Sequence, residues 1–112
     1  MHAFDVLGDP VRRRVLELLA GQDLSSGDVV SVVTKEFGIS QSAVSQHLKV
    51  LRNNGFATVT VDGARRVYAL DTEGLQEVDA WLAMFRQFWA PKFEALATEV
   101  ARGKRQRSKR KK

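Results

Sequence analysis

Residues 39–55, ISQSAVSQHLKVLRNNG, carry a helix start signal, an apolar stripe and a stop signal, and they constrain the fold more than any other stretch. The Ser40 hydroxyl is placed to accept from a backbone N–H left unpaired in a first helical turn, and Asn54-Gly55 supplies residues that tolerate the left-handed backbone closing a helix. The pattern predicts a helix over about residues 41–54. Val44, Leu48 and Leu51 fall on one side at helical spacing; Ser42, Ser45, Gln46, Lys49 and Asn53 fall on the other. That polar side holds no acid. Its short hydroxyls, amides and lysine are groups that reach phosphates and base edges in a DNA major groove, although an ordinary solvated helix face can have the same composition.

The flanking segments weigh on that choice. Upstream, Ser25 or Ser26 can cap a helix running to about Phe37, with Val29, Val30, Val32, Val33 and Phe37 as a broad apolar surface. Its four valines lose rotamer freedom in a helix, so tertiary packing has to hold it. Gly38 closes this helix and Ile39 leads directly to Ser40, giving a helix-turn-helix. Downstream, the segment FATVTV is rich in β-branched residues, Asp62-Gly63 is a two-residue hairpin signal, and residues 66–70, RVYAL, read as the return strand. Arg65 and Arg66 flank the tip of this hairpin, where a packing role is least available. Contact with phosphate or a minor groove is favoured there over a solvated pair.

Asp9-Pro10 marks another helix start, because aspartate caps free N–H groups and proline fits the first turn. This helix should run to about Ala20 with Val11, Val15, Leu18 and Leu19 buried. Arg12, Arg13 and Arg14 wrap its other side, where solvated or intramolecular ion-paired roles are favoured over contact with DNA backbone. Phe4, Val6 and Leu7 suggest a short preceding helix or turn. From Thr72 to about Ala90 a long helix is predicted, with Leu75, Val78, Leu82, Phe85 and Trp89 spaced by threes and fours and Trp81, Met84 and Phe88 beside them. Pro91 ends or kinks it, and Phe93, Leu96, Ala97 and Val100 continue an amphipathic turn or two. So much large apolar surface exceeds what one helix of a domain this size buries internally, which favours a dimerisation helix over a core helix.

The net charge of +5 suggests a polyanionic partner until its distribution is considered. Residues 102–112, RGKRQRSKRKK, hold eight of the eighteen bases and no acid, which leaves ten bases against thirteen acids in residues 1–101. The expected organisation is therefore one mildly acidic domain, residues 1–101, followed by a disordered basic tail. The tail could follow phosphates over about 35 Å when extended. No cysteine is present, which removes disulfides, thiolate metal sites and cysteine nucleophiles. No apolar run is long enough to span a bilayer and the N-terminus lacks the pattern of a signal peptide, so a cytoplasmic location is expected. His47 borders the apolar stripe of its helix, where a packed or hydrogen-bonded state is favoured over base contact; His2 is expected to be mobile. Neither belongs to a catalytic constellation. No enzyme activity, cofactor, membrane partner or metal is expected.

The order of these elements, with SQSAVSQHLKVLRNNGF, the hairpin VDGARRVYAL and the apolar LQEVDAWLAMFRQFW, resembles the ArsR-type winged helix-turn-helix repressors of bacteria over about residues 3–90. The last of these segments looks like the C-terminal helix of the metal-independent branch. The resemblance implies a mainly α fold with a β-hairpin wing, a homodimer formed through the long C-terminal helix, and binding to double-stranded DNA at a pseudo-palindromic operator, blocking transcription. The residues matching the DNA-reading helix are Gln41, Ser42, Ser45 and Gln46, with Lys49 as the marginal member; Arg65 and Arg66 match the wing. Leu75, Val78, Trp81, Leu82, Phe85, Phe88 and Trp89 are the candidate dimer surface. Two departures stand out. Metal-sensing members carry a cysteine pair ahead of the turn, whereas residues 24–28 and 29–31 here offer no thiol or imidazole, and residues 72–101 lack histidine. The basic tail is not a requirement of the family. The competing expectation is a nucleoid-associated, architectural DNA-binding protein relying on that tail; a protein-interaction module that no longer reads DNA is a third.

Overall fold

The computed structural model describes residues 1–89. The chain divides into two units, Met1–Val78 and Asp79–Lys112. The first contains α1 (Ala3–Leu7), α2 (Pro10–Gly21), β1 (Leu24–Ser25), α3 (Ser26–Phe37), α4 (Gln41–Asn53), β2 (Ala57–Asp62) and β3 (Arg65–Leu70), and in it begins α5 (Glu73–Ala83). Among the described residues, no helix is long and apolar enough to cross a membrane.

Local chemistry sets the helix boundaries. The Asp9 carboxylate accepts from the N–H groups of Val11 and Arg12 at 2.8 and 3.3 Å, with Pro10 in the first turn. Ser25, rather than Ser26, caps α3 by accepting from Asp28 N–H at 3.1 Å. Gly38 ends α3 at φ 64°, a left-handed backbone that a side chain at Cβ would strain, and this reversal directs the chain into the Ser40 cap. Ser40 accepts from Ala43 N–H at 3.1 Å. At the far end of α4 the left-handed step falls on Gly55, not Asn54, whose amide donates instead to Val50 C=O at 2.7 Å.

The core lies among α1–α4 and the sheet. Val6, Val15, Val29, Val33, Val44, Leu51 and Phe56 are fully buried, so α3 is held by packing, as its valines require. Leu16 joins the buried face of α2 where Leu18 was expected; Leu18 is only partly buried. On α3, Val29 and Val33 are buried while Phe37 is exposed. Short α1 buries Ala3 and Val6 and leaves Phe4 outward. His2, expected to be mobile, caps this helix: its Nδ1 accepts from Phe4 N–H at 3.2 Å, its own N–H donates to Asp5, and its Nε2 lies 3.8 Å from Glu77.

The sheet has three antiparallel strands in the order β1-β3-β2, one more than the expected hairpin. β1 places Leu24 opposite Tyr68 and Ser25 opposite Val67. It was invisible in sequence because two residues cannot show alternation; the open edge of β3 selects them. The hairpin loop is also shifted by one position. Asp62 pairs with Arg65, so the loop is Gly63-Ala64. A tight hairpin needs positive φ at its first loop position, and Gly63, at φ 65°, supplies it.

The first turn of α5 closes on the end of α4. Gly74 N–H donates to Gly55 C=O at 2.8 Å, Asp71 N–H to Phe56 C=O at 3.0 Å and Phe56 N–H to Leu51 C=O at 2.9 Å. Leu75 and Val78 are partly buried against the core.

In the second unit, the α-helix expected to reach Ala90 ends at Ala83. Met84 and Phe85 N–H groups bond three residues back, to Trp81 and Leu82, and a 3₁₀ turn spans Arg86–Phe88. Aromatic residues are weak helix formers without packing, and here Met84 and Phe88 are exposed, as are Trp81 and Trp89. The Trp81 and Phe85 rings pack with centroids 4.7 Å apart, and Arg86 pairs with Asp79. The expected effect of Pro91, the amphipathic turns after it and the basic tail lie outside the described residues.

Candidate nucleic-acid interface

Helix α4 is fixed from below and free above. Val44, Leu48 and Leu51 lock its underside into the core, while Gln41, Ser42, Ser45, Gln46, Lys49 and Asn53 are all exposed. With Ser40 capping one end and Asn54 bonded at the other, the exposed side chains stand on a rigid element.

Not all of those residues line the same hollow. Ser45, Lys49 and Arg52, spaced i, i+4 and i+7, line a hollow of about 520 Å³ whose other walls are Leu48, Ser26 and, from β3, Arg66 and Tyr68. Gln41, Ser42 and Gln46 are not among its walls. The two wing arginines are separated as well. Both lie within β3, where successive side chains alternate between faces. Arg66 shares a face with buried Tyr68 and so meets α4, whereas Arg65 lies on the other face opposite Asp62. Arg52 and Ser26 were missed in sequence. Arg52 is one turn beyond Lys49 on the same side, a spacing that could have revealed it; Ser26 arrives only because β1 brings the start of α3 to the sheet.

The three arginines of α2 have internal partners. Arg12 donates to Val6 C=O at 2.8 Å and Asp5 C=O at 2.9 Å, and lies 3.2 Å from His47 Nδ1. A guanidinium only donates, so His47 accepts there through an unprotonated Nδ1. This makes His47 a hydrogen-bonded anchor of α4. Arg13 donates to Leu7 C=O at 2.6 Å, and Arg14 grips Glu36 through two bonds of 2.9 and 3.1 Å. The hydrogen bond from Arg14 holds the Glu36 carboxyl below its usual range, and Glu36 in turn raises Arg14. Burial alone would raise the Asp9 carboxyl, but the Val11 and Arg12 N–H bonds, with the charge of Arg12, together lower it. Lys49, Arg52, Arg65 and Arg66, by contrast, have no ion-pair partner among the described residues.

Of the candidate dimer residues, Leu75 and Val78 face their own core and Leu82 and Phe85 are half-buried, while Trp81, Phe88 and Trp89 are 47%, 72% and 42% exposed.

The family described as bacterial regulatory protein, arsR family, matches residues 9–59. The chain is 32% identical over 84 residues to the transcriptional repressor SdpR of Bacillus subtilis, an alignment covering 75% of this chain and 89% of that protein. It is 40% identical over 73 residues to the HTH-type transcriptional regulator Rv2034 of Mycobacterium tuberculosis, covering 65% of this chain and 64% of the relative. Among solved structures, a possible transcriptional regulator for arsenical resistance superposes with a TM-score of 0.64 at 32% identity, covering 89% of this chain and 97% of that one.

Proposed function

Since this chain belongs to the ArsR family of bacterial regulatory proteins, we propose that it is a sequence-specific DNA-binding transcriptional repressor, acting in the cytoplasm on the nucleoid as a homodimer. The observation that carries this reading is the outer face of α4: exposed, acid-free and held rigidly by an apolar underside, with Arg66 of the wing, which has no ion-pair partner among the described residues, beside it. Gln41, Ser42 and Gln46 are placed to meet base edges, because amide and hydroxyl groups both donate and accept and so discriminate donor–acceptor patterns in the major groove. Lys49 and Arg66 carry the charge that meets phosphate. Two copies joined through the aromatic surface of residues 81–89 would set two such helices into successive major grooves of a pseudo-palindromic operator, excluding polymerase. The sequence has no cysteine from which a thiolate metal site could be built.

Selection of duplexes from a random pool by the purified protein tests this directly. The expected result is a pseudo-palindromic consensus bound at least about a thousandfold more tightly than random duplex at physiological salt. Gln46→Ala should relax selectivity at one base position of each half-site, at about 1–3 kcal/mol. Equal affinity for all duplexes would refute the reading and leave an architectural protein in its place.

A further inference from the structure

We propose that the hollow between α4 and β3 is a seat for one phosphodiester group of the DNA backbone, held between Arg52 of α4 and Arg66 of the wing; the inference rests on the DNA-binding reading above and assigns this part of the surface to positioning rather than base reading.

Among the described residues, the arginines divide into those with internal partners and those without. Arg12, Arg13, Arg14 and Arg86 all find oxygen partners within the fold. Lys49, Arg52 and Arg66 find no ion pair among the described residues, yet they converge on one hollow, and no carboxylate lines it. Three like charges brought together repel one another, and an anion entering the hollow relieves that repulsion. Two of the three are arginines, whose planar forks match a tetrahedral oxyanion in a way a lysine cannot. They project from different elements, so a group between them is gripped from two walls. Ser26 adds a hydroxyl beside the first turn of α3, where the helix dipole favours negative charge. A volume of about 520 Å³ exceeds one phosphate and leaves room for the flanking sugars, as a seat for a continuous strand requires. Because Gln41, Ser42 and Gln46 stand outside the hollow, the phosphate would fix the register in which they meet the bases.

The test measures affinity against salt for Arg52→Ala, Arg66→Ala and Arg65→Ala, using a duplex selected from the random pool and a random duplex of equal length. Arg52→Ala and Arg66→Ala should each weaken binding roughly tenfold or more. The weakening should be the same on both duplexes, and the log–log salt slope should flatten by about 0.9 for each phosphate no longer neutralised. Arg65→Ala, on the other face of the wing, should change less. An unaltered slope for Arg52→Ala and Arg66→Ala, with the wild type still preferring its selected duplex, would overturn the seat while leaving DNA reading intact. Weakening confined to the selected duplex would make Arg52 a base reader and also overturn it. Pyrophosphate bound saturably by the wild type and not by Arg52→Ala, with the salt slopes of Arg52→Ala unaltered on both duplexes, would give the hollow to a free anion instead of the backbone. Thermal melts of Arg52→Ala and Arg66→Ala matching the wild type are expected, since both side chains are at least partly exposed.

Discussion

Replacing Gly74 with alanine isolates the joint where α4, β2 and α5 meet. A Cβ built at Gly74 would lie 2.5, 2.6 and 2.7 Å from three ring atoms of Phe56. Carbon atoms rest at about 3.5–4.0 Å, so the ring or the helix must retreat by about 1 Å. Phe56 is fully buried, and the backbone on both sides is pinned by the bonds joining Leu51 to Phe56 and Gly55 to Gly74. Overpacking of this kind costs about 1–3 kcal/mol. Alanine recovers at most about 1 kcal/mol through helix propensity, and less here because Gly74 sits in the first turn of α5. The net expectation is destabilisation by about 1–2 kcal/mol, or a fall in melting temperature of roughly 5–15 °C for a domain of this size. Thermal unfolding followed by circular dichroism at fixed protein concentration measures it. Gly27→Ala is the matched control, because the nearest atom to its Cβ is Ser25 Oγ at 3.9 Å and the same substitution should be neutral or stabilising there. A second control trims the ring: Phe56→Leu combined with Gly74→Ala should cost less than the sum of the two single changes. A Gly74→Ala protein melting at or above the wild-type temperature would refute the close-packing argument.

Two further perturbations address other parts of the chain. Asp9→Ala should cost about 0.5–2 kcal/mol at neutral pH by removing the α2 cap, whereas Asp9→Asn keeps a capping acceptor and should cost little. Because the folded Asp9 carboxyl titrates below its usual 3.8, its ionised form contributes stability that is complete above that pH and lost as pH falls through the lower folded value. Melting temperatures measured from about pH 5 down to about pH 2 should therefore fall less steeply for Asp9→Asn, and parallel curves would contradict the assignment. For the proposed dimer, Trp81→Glu with Phe85→Glu should give monomers in sedimentation and abolish operator binding, since one half-site offers half the recognition surface; an unaltered dimer would move the interface elsewhere.

Elements with their own boundary chemistry could be read from sequence. Asp9-Pro10, Gly38-Ile39-Ser40 and the stripe Val44, Leu48 and Leu51 each announce themselves locally, and the helices and the DNA-binding family resemblance followed from them. What could not be read depends on distant partners. β1 exists because β3 offers an edge. The hairpin register turned on which residue supplies positive φ, and a shift of one position decided that Arg65 and Arg66 face opposite ways. The end of α5 at Ala83 was obscured for a related reason: a regular run of apolar residues predicts a helix whether or not anything packs on it. In sequence, Arg52 is indistinguishable from a charge at any solvated helix end; only the fold sets Arg66 and Tyr68 across from it.

The convergence of basic side chains on the α4–wing hollow has a consequence for encounter kinetics. Residues 1–101 carry more acids than bases, so at long range much of the domain repels a polyanion. Of the three arginines on α2, only Arg14 meets carboxylates that offset its charge; Arg12 and Arg13 donate to neutral carbonyls and keep theirs. Within the folded domain, Lys49, Arg52 and Arg66 stand together in a concave surface that focuses the field. For that domain, approaches with the α4–wing hollow leading are drawn in. Orientation is then selected during diffusion, and association should slow with added salt more steeply than dissociation quickens.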